Sequence, residues 1–245
     1  MDLKEVDNTI NRRHPWETAR LKALSSILHP FLFNGIEIMD VGCGDGFIAR
    51  GLFSNLQVKK ITAVDIHLSD DQLQEFNQVS DEITYTREIP DSGEFDLVLL
   101  LDVLEHIKDD AGFLEGIVKR QLHERGRILI TVPAFQSIYG QHDINLGHYR
   151  RYNLQRLECL ATTAGLKIVS SGYLFATLLI PKYILCSLLK ISSVAEGVGK
   201  WTGGRVLTGI LETFLNLDNR LLLFLARFGI KLPGLTGWVL CEKQE

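Results

Sequence analysis

The chain has no surplus of positive charge: 26 Lys and Arg stand against 30 Asp and Glu in 245 residues, for a formal net charge of -4 and a pI near 6.0. That balance gives no general attraction to phosphate backbones, so a nucleic-acid partner is not expected. Cysteine is scarce as well. Cys43, Cys159, Cys186 and Cys241 are too far apart for a disulfide framework or a zinc knuckle, and a reducing cytoplasm suits them. The first residues, M-D-L-K-E-V-D-N, lack the basic start and apolar run of an export signal. Internal repeats and low-complexity tracts are absent. With 46% hydrophobic residues the chain can bury one sizeable core, and a single domain over residues 1–245 is expected.

What is present is concentrated first in Ile38 to Gly46, I-M-D-V-G-C-G-D-G. An apolar run ends in Asp40, glycines follow at Gly42, Gly44 and Gly46, and a helical pattern starts at Phe47, so the stretch reads as strand, tight turn and helix. Glycine suits such a turn because a side chain would keep the backbone away from a ligand. A dinucleotide fingerprint needs its third glycine three places after the second, where this chain has Phe47. The turn with Asp40 before it, and Asp65 closing the next strand in A-V-D-I, resembles motif I of the class I S-adenosylmethionine (SAM) dependent methyltransferases. The segment F-D-L-V-L-L-L-D-V-L-E-H, Phe95 to His106, is similar to the fourth strand and turn of the same family.

The resemblance implies a Rossmann-like α/β sheet of seven strands in the order 3-2-1-4-5-7-6, with strand seven antiparallel, and SAM as cofactor. It assigns SAM contacts to Asp40, Gly42, Cys43, Gly44, Gly46, Asp65, Ile66, Asp102 and Val103, with Asp65 accepting the ribose hydroxyls. Glu88 is the acidic residue available to the adenine amino group. In some relatives an acid-x-x-Glu-His cluster holds a metal. For Asp102, Glu105 and His106 the expectation is instead a pocket wall with no metal.

The pattern along the chain agrees with such a sheet. His14-Pro15 opens a helix with Leu21, Leu24 and Leu28 on one face, part of an N-terminal cover over residues 1–34 in which Trp16 and Arg20 take ordinary packing roles. Ser69 and Gln72 form a capping box for a helix running to Val79. A helix is expected from Asp110 to Glu124, another after Asn153, and a final strand in L-T-G-W-V-L-C-E-K.

Tyr139 to Tyr152 has no periodicity and carries H-D-x-x-x-G-H-x-R-R-Y, a pattern that resembles a subgroup of uncharacterised bacterial methyltransferases. A loop so rich in aromatic and basic groups after a strand end reads as the acceptor site. His142 and His148, then His106, are the candidate bases, and Tyr149, Arg150 and Arg151 the candidate substrate contacts. Residues 174–232 read as a helical insertion between strands six and seven. Pro181, Lys182 and Lys190 interrupt its first apolar run, and Asp218, Asn219 and Arg220 break the second, so neither is expected to span a bilayer. Three placements remain open: capping the pocket, lying on a membrane, or forming a homodimer interface. The expectation is that the insertion roofs the acceptor site, with Arg150 and Arg151 near the entrance for an anionic head group.

The resulting expectation is a cytoplasmic methyltransferase, with peripheral contact to the inner membrane face as one placement, acting on O, N or C of a small or amphipathic acceptor. A lipid-linked glycan, a quinone-like phenol and a soluble metabolite all fit. The competing reading is a non-catalytic SAM-binding or partner-binding protein that uses the apolar insertion as its interface.

Overall fold

The computed structural model describes residues 13–79, 82–184 and 201–244. Its centre is one seven-stranded sheet of order β3-β2-β1-β4-β5-β7-β6. The strands are β1 (Glu37–Val41), β2 (Lys60–Val64), β3 (Ile83–Thr86), β4 (Phe95–Leu101), β5 (Leu122–Pro133), β6 (Leu166–Leu174) and β7 (Thr236–Lys243). The first five run parallel, and β7 enters antiparallel between β5 and β6, with Trp238 opposite Thr131 on one side and Gly172 on the other.

Strand β4 shows why the sheet is covered on both faces. Leu97, Leu99 and Leu101 point to one side and join Leu24 and Leu28 of α1 (Pro15–Leu28) and Leu215 of α8 (Arg205–Ala226). Val98 and Leu100 point to the other and meet Leu114 and Ile117 of α4 (Asp110–Arg120) and Leu157 of α6 (Leu154–Thr163). An unbroken apolar run is what a strand buried on both faces requires. Leu99 is wholly buried, and its truncation to alanine should cost about 2–5 kcal/mol.

Local signals set the helix starts. Trp16 N–H donates to His14 Nδ1 while His14 N–H donates to Glu17, which caps α1 just before Pro15. Ser69 and Gln72 cap each other's backbone at α3 (Asp70–Val79), and Asn153 accepts from Arg156 N–H at α6. Helix α2 (Phe47–Phe53) follows the glycine turn.

The structure departs from the sequence expectations in two places. Helix α4 stops at Arg120 and not at Glu124, because Leu122 already pairs with Phe95 and residues 123–126 bulge from the ladder before Arg127 meets Leu97. The stretch Tyr139 to Tyr152 is not all loop: α5 (Gln141–Leu146) is held by Gly140 N–H donating to Asp143 and closed by Gly147 at φ 79°. The polar residues that interrupt the second apolar run leave the helix itself unbroken. Helix α8 runs 22 residues through them. Asp218 accepts from the Thr177 N–H and hydroxyl at the start of α7 (Ala176–Tyr183), and the buried Asn219 accepts from Phe175 N–H. They act as ties between the two insertion helices. Pro181 lies inside α7, whereas the expected interruption at Lys190 falls outside the described residues. No helix among the described residues is long and apolar enough to cross a membrane.

Candidate active site at the strand ends

The turn after β1 folds back onto the end of β2: Gly42 and Cys43 both donate their N–H to Val64 O, at 2.8 and 3.1 Å. Two of its glycines are obligatory. Gly42 has φ 74°, and a Cβ there would lie 2.7 Å from Val103; Gly46 has φ 74°, and a Cβ would lie 2.1 Å from the Tyr85 hydroxyl. Asp65 completes the cradle. Its Oδ2 accepts from Gly44 N–H at 3.0 Å and its Oδ1 from His67 N–H at 2.9 Å, so the carboxylate both braces the turn and faces the cavity.

That cavity has a volume of about 730 Å³. Gly42, Asp65, Ile66, Asp102 and Val103 of the expected SAM set line it, whereas Asp40, Cys43, Gly44 and Gly46 shape the turn behind its wall. The backbone of the turn is drawn toward β2 by the bonds to Val64 O, and the side chains of Asp40 and Cys43 are buried. Burial drives the Cys43 thiol pKa upward, so Cys43 is an inert core group. Asp40 is buried with both oxygens lacking a hydrogen-bond partner among the described residues. Burial, only partly offset by the nearby Arg20, lifts its pKa to about 7. Glu88 is exposed and off the wall, which takes its neighbour Ile89 instead.

Helix α1 does more than cover the sheet. Trp16 and His14 line the cavity, and Arg20 crosses beneath to reach Asp102 Oδ2 at 2.8 Å and the Thr131 hydroxyl at 2.9 Å. Thr131 in turn donates to Asp102 Oδ1 at 3.0 Å. Asp102 holds the uncommon φ of 58°, fixed by these contacts. Burial opposes its ionisation, but Arg20 and Thr131 outweigh it and bring the pKa down. Sequence reasoning set Trp16 and Arg20 aside as packing, since an amphipathic pattern does not say what its polar face meets.

Glu105, His106, His142 and His148 also line the cavity. The His106 and His148 rings meet edge to face with centroids 4.6 Å apart. His148 Nδ1 lies 2.9 Å from Asp143 Oδ1, which also accepts from Arg151 Nε at 2.7 Å. Asp143 is wholly buried. Burial alone would raise its pKa; the His148 hydrogen bond and the Arg151 charge reverse that and bring it to about 2. His142, on α5, is shifted down by burial and then by Lys182.

Asp143 is the residue the sequence reading missed. Its signal was the five-residue spacing to His148 across Gly147, which brings both side chains together only once α5 has formed.

The candidate substrate contacts divide. Tyr149 lines the cavity, and its N–H donates to Glu105 O at 2.7 Å, tying this segment to the turn after β4. Arg151 reaches the wall, but its guanidinium is engaged by Asp143 and Ala134 O. Arg150 is off the wall altogether, bonded to Asp110 and Lys108 O. The pair pins the segment, so the expected entrance for an anionic head group is not formed by these arginines. From the insertion, Leu178 and Lys182 of α7 line the cavity, whereas α8 packs on α1 and β6 behind it.

Glu105, His106 and His148 also form a set able to hold a metal ion, with one ligand atom from each within 4.8 Å of the others. Asp102 is not part of it, being engaged by Arg20. Glu105 is wholly buried, neither oxygen has a hydrogen-bond partner among the described residues, and burial together with Asp102 raises its pKa well above the ordinary range.

A family model described as a methyltransferase domain matches residues 11–171, more than half of the chain. The ubiquinone biosynthesis O-methyltransferase of Rickettsia bellii (strain OSU 85-389) is 30% identical over 110 residues, covering 42% of this chain and 45% of that protein. The chain thus spans less than half the length of this curated relative. Among solved structures, the N-methyltransferase NodS of Bradyrhizobium japonicum WM9 with S-adenosyl-L-homocysteine (SAH) aligns over 100% of this chain and 95% of that one, at 13% identity and TM-score 0.57. The phosphoethanolamine N-methyltransferase 2 of Haemonchus contortus with SAM aligns over 91% of this chain and 52% of that one, at 18% identity and TM-score 0.57. With the seven-stranded order, the glycine turn braced by Asp65 and the matched family model together, the chain belongs to the class I SAM-dependent methyltransferases.

Proposed function

We infer that this methyltransferase moves the SAM methyl group onto a hydroxyl oxygen of an amphipathic acceptor, a phenol with an apolar tail. The observation that carries the reading is the make-up of the cavity wall. It holds His148, paired with Asp143, together with Ile107, Phe113, Leu146, Leu178 and Leu235, a polar group in a wall with many apolar side chains. The similarity to an O-methyltransferase supports oxygen as the methylated atom.

The chemistry asks little of the protein beyond placement. Asp65 and the turn would hold the nucleoside end of SAM, which would supply a methyl group on a good leaving group for in-line displacement by the acceptor oxygen. Transfer would release SAH, and the hydroxyl proton would pass to a base. His148 is that base in this reading. With Nδ1–H donating to Asp143, its Nε2 is the proton acceptor, a tautomer assigned from the hydrogen bond. Such a base contributes about 10²–10⁴ in rate.

A second reading is favoured by Glu105, whose buried, unpartnered carboxyl fits a ligand for a divalent cation beside His106 and His148. A bound cation would supply Lewis-acid activation of the acceptor oxygen.

Methyl-deuterated SAM offered with a tailed phenol, a tail-less phenol and a primary amine tests the proposal by mass spectrometry. The tailed phenol should give the labelled ether with the highest kcat/KM, and His148→Ala should lower kcat by about 10²–10⁴. Labelling of the amine alone would refute it. Tight SAH binding with no product from any acceptor would support the non-catalytic reading.

A further inference from the structure

Helix α8 carries two apolar faces, and only one is covered. Leu215 and Leu222 are buried against the domain. On the other side Ile210, Phe214, Leu217, Leu221, Phe224 and Phe228 follow one another at spacings of 4, 3, 4, 3 and 4, and each is between 52% and 69% exposed. These spacings put the first five on one stripe of the helix, and Phe228, just past its end, sets its ring against Phe224. The face of a surface helix turned to water is ordinarily polar, so a stripe of this length marks an interaction surface.

Charge selects what covers it. Glu212 and Asp218 of α8 are engaged inward, accepting from Thr18 and Thr177. Arg220 and Arg227 are exposed, a helical repeat of seven apart along one edge of the stripe, and neither makes an ion pair among the described residues. The face is therefore apolar with a cationic border, and both carboxylates of α8 are engaged elsewhere. A second copy of the same face would bring an identical cationic border with nothing to neutralise it. An anionic lipid bilayer presents the matching pair, hydrocarbon beneath negative head groups.

The placement also serves the site. Helix α7, packed on α8, exposes Ile180 and Tyr183 while turning Leu178 and Lys182 into the cavity wall, so the same two-helix unit borders both the outer apolar surface and the acceptor end. We propose that α8, extended by α7, docks this methyltransferase on an anionic bilayer surface through its exposed stripe, lying in the plane of the interface. The docking rests on the exposed face alone; only the idea that an acceptor enters from the bilayer rests on the amphipathic-acceptor reading above.

Flotation of the full chain with vesicles of phosphatidylcholine alone and of phosphatidylcholine with phosphatidylglycerol provides the test. Binding is expected to the anionic vesicles and to weaken at least tenfold on raising salt from 0.1 to 1 M, where the screening length falls to about 3 Å. Leu217→Asp with Phe224→Asp should abolish flotation, and Arg220→Glu with Arg227→Glu should remove the preference for anionic vesicles. SAH affinity, measured on each variant, should stay at the parent value and reports that the domain is folded. Absence of flotation by the parent chain overturns the proposal, as does flotation unchanged in the folded Asp variants. A dimer in sedimentation that dissociates in those same variants would overturn it in favour of a second copy. Failure of the phenol assay with flotation intact would remove the acceptor reading and leave the docking surface standing.

Discussion

Removing the Asp65 carboxylate is the most informative perturbation, because the brace it gives the glycine turn and the ribose contact expected of it separate in measurement. In the liganded state each ribose hydroxyl donating to a carboxylate is worth about 1.5–3 kcal/mol, so Asp65→Ala removes about 3–6 kcal/mol of gross interaction. Water fills part of the gap, and a net loss of about 2.8 kcal/mol corresponds to a hundredfold weaker SAH affinity. The same substitution strips the acceptor from the buried Gly44 N–H, now 3.0 Å from Oδ2, and from the exposed His67 N–H. Leaving the buried donor unpaired costs about 1–3 kcal/mol, and each kcal/mol lowers Tm by about 2–4 °C for a chain of this size. Asp65→Asn separates the two effects: one oxygen can still accept from Gly44, while the amide meets His67 N–H as a second donor. Calorimetric titration with SAH beside a thermal melt reads both quantities. Affinity should fall in the order Asp, Asn, Ala while the Asn variant keeps most of the parent Tm. A folded Asp65→Ala protein that binds SAH within twofold of the parent would refute the assignment of the ribose site.

Three further outcomes are expected. Gly46→Ala forces φ 74° on a side-chain-bearing residue and drives its Cβ into the Tyr85 hydroxyl; SAH affinity and Tm should both fall, with partial recovery in the double variant carrying Tyr85→Phe. Asp40 retains its proton to about pH 7 in the free protein but ionises near 3.8 when unfolded. Its contribution to stability is therefore present below about pH 3.8 and lost as pH rises through about 7; Asp40→Asn should flatten that fall in urea titrations. Turnover is expected to survive dialysis against EDTA, with His148 acting as base without a metal; loss restored by Mg²⁺ or Zn²⁺ would establish Glu105, His106 and His148 as ligands.

Much of the fold could be read from local pattern. The apolar run Phe95–Leu101 and the closing W-V-L-C-E-K declare strands by their composition, and the caps at His14, Ser69 and Asn153 declare helix starts through contacts made within a few residues. Where the reading failed, a distant partner decided. Leu122 to Glu124 looked helical, yet Phe95 recruits Leu122 into the sheet. Asp218 and Asn219 interrupt an apolar run in the sequence, but that their side-chain oxygens accept from Thr177 and Phe175, more than forty residues earlier, is written in no local pattern.

The same division holds at the site. Sequence alone determined the glycine turn and the acid closing β2, because the positive φ and close neighbours at Gly42 and Gly46 strain any residue with a side chain and such constraints are written in consecutive positions. It also offered His142, His148 and His106 as candidate bases without saying which has a partner. Only the tertiary structure decided what the charged groups do: that Asp143 orients His148, that Arg150 and Arg151 pin a segment and do not open a doorway, and that Arg20 reaches under the cavity to Asp102. The reason is physical. A backbone conformation is selected by the few residues that adopt it, whereas the state and partner of a charged side chain depend on burial and on charges brought near by the whole sheet, which no local pattern contains.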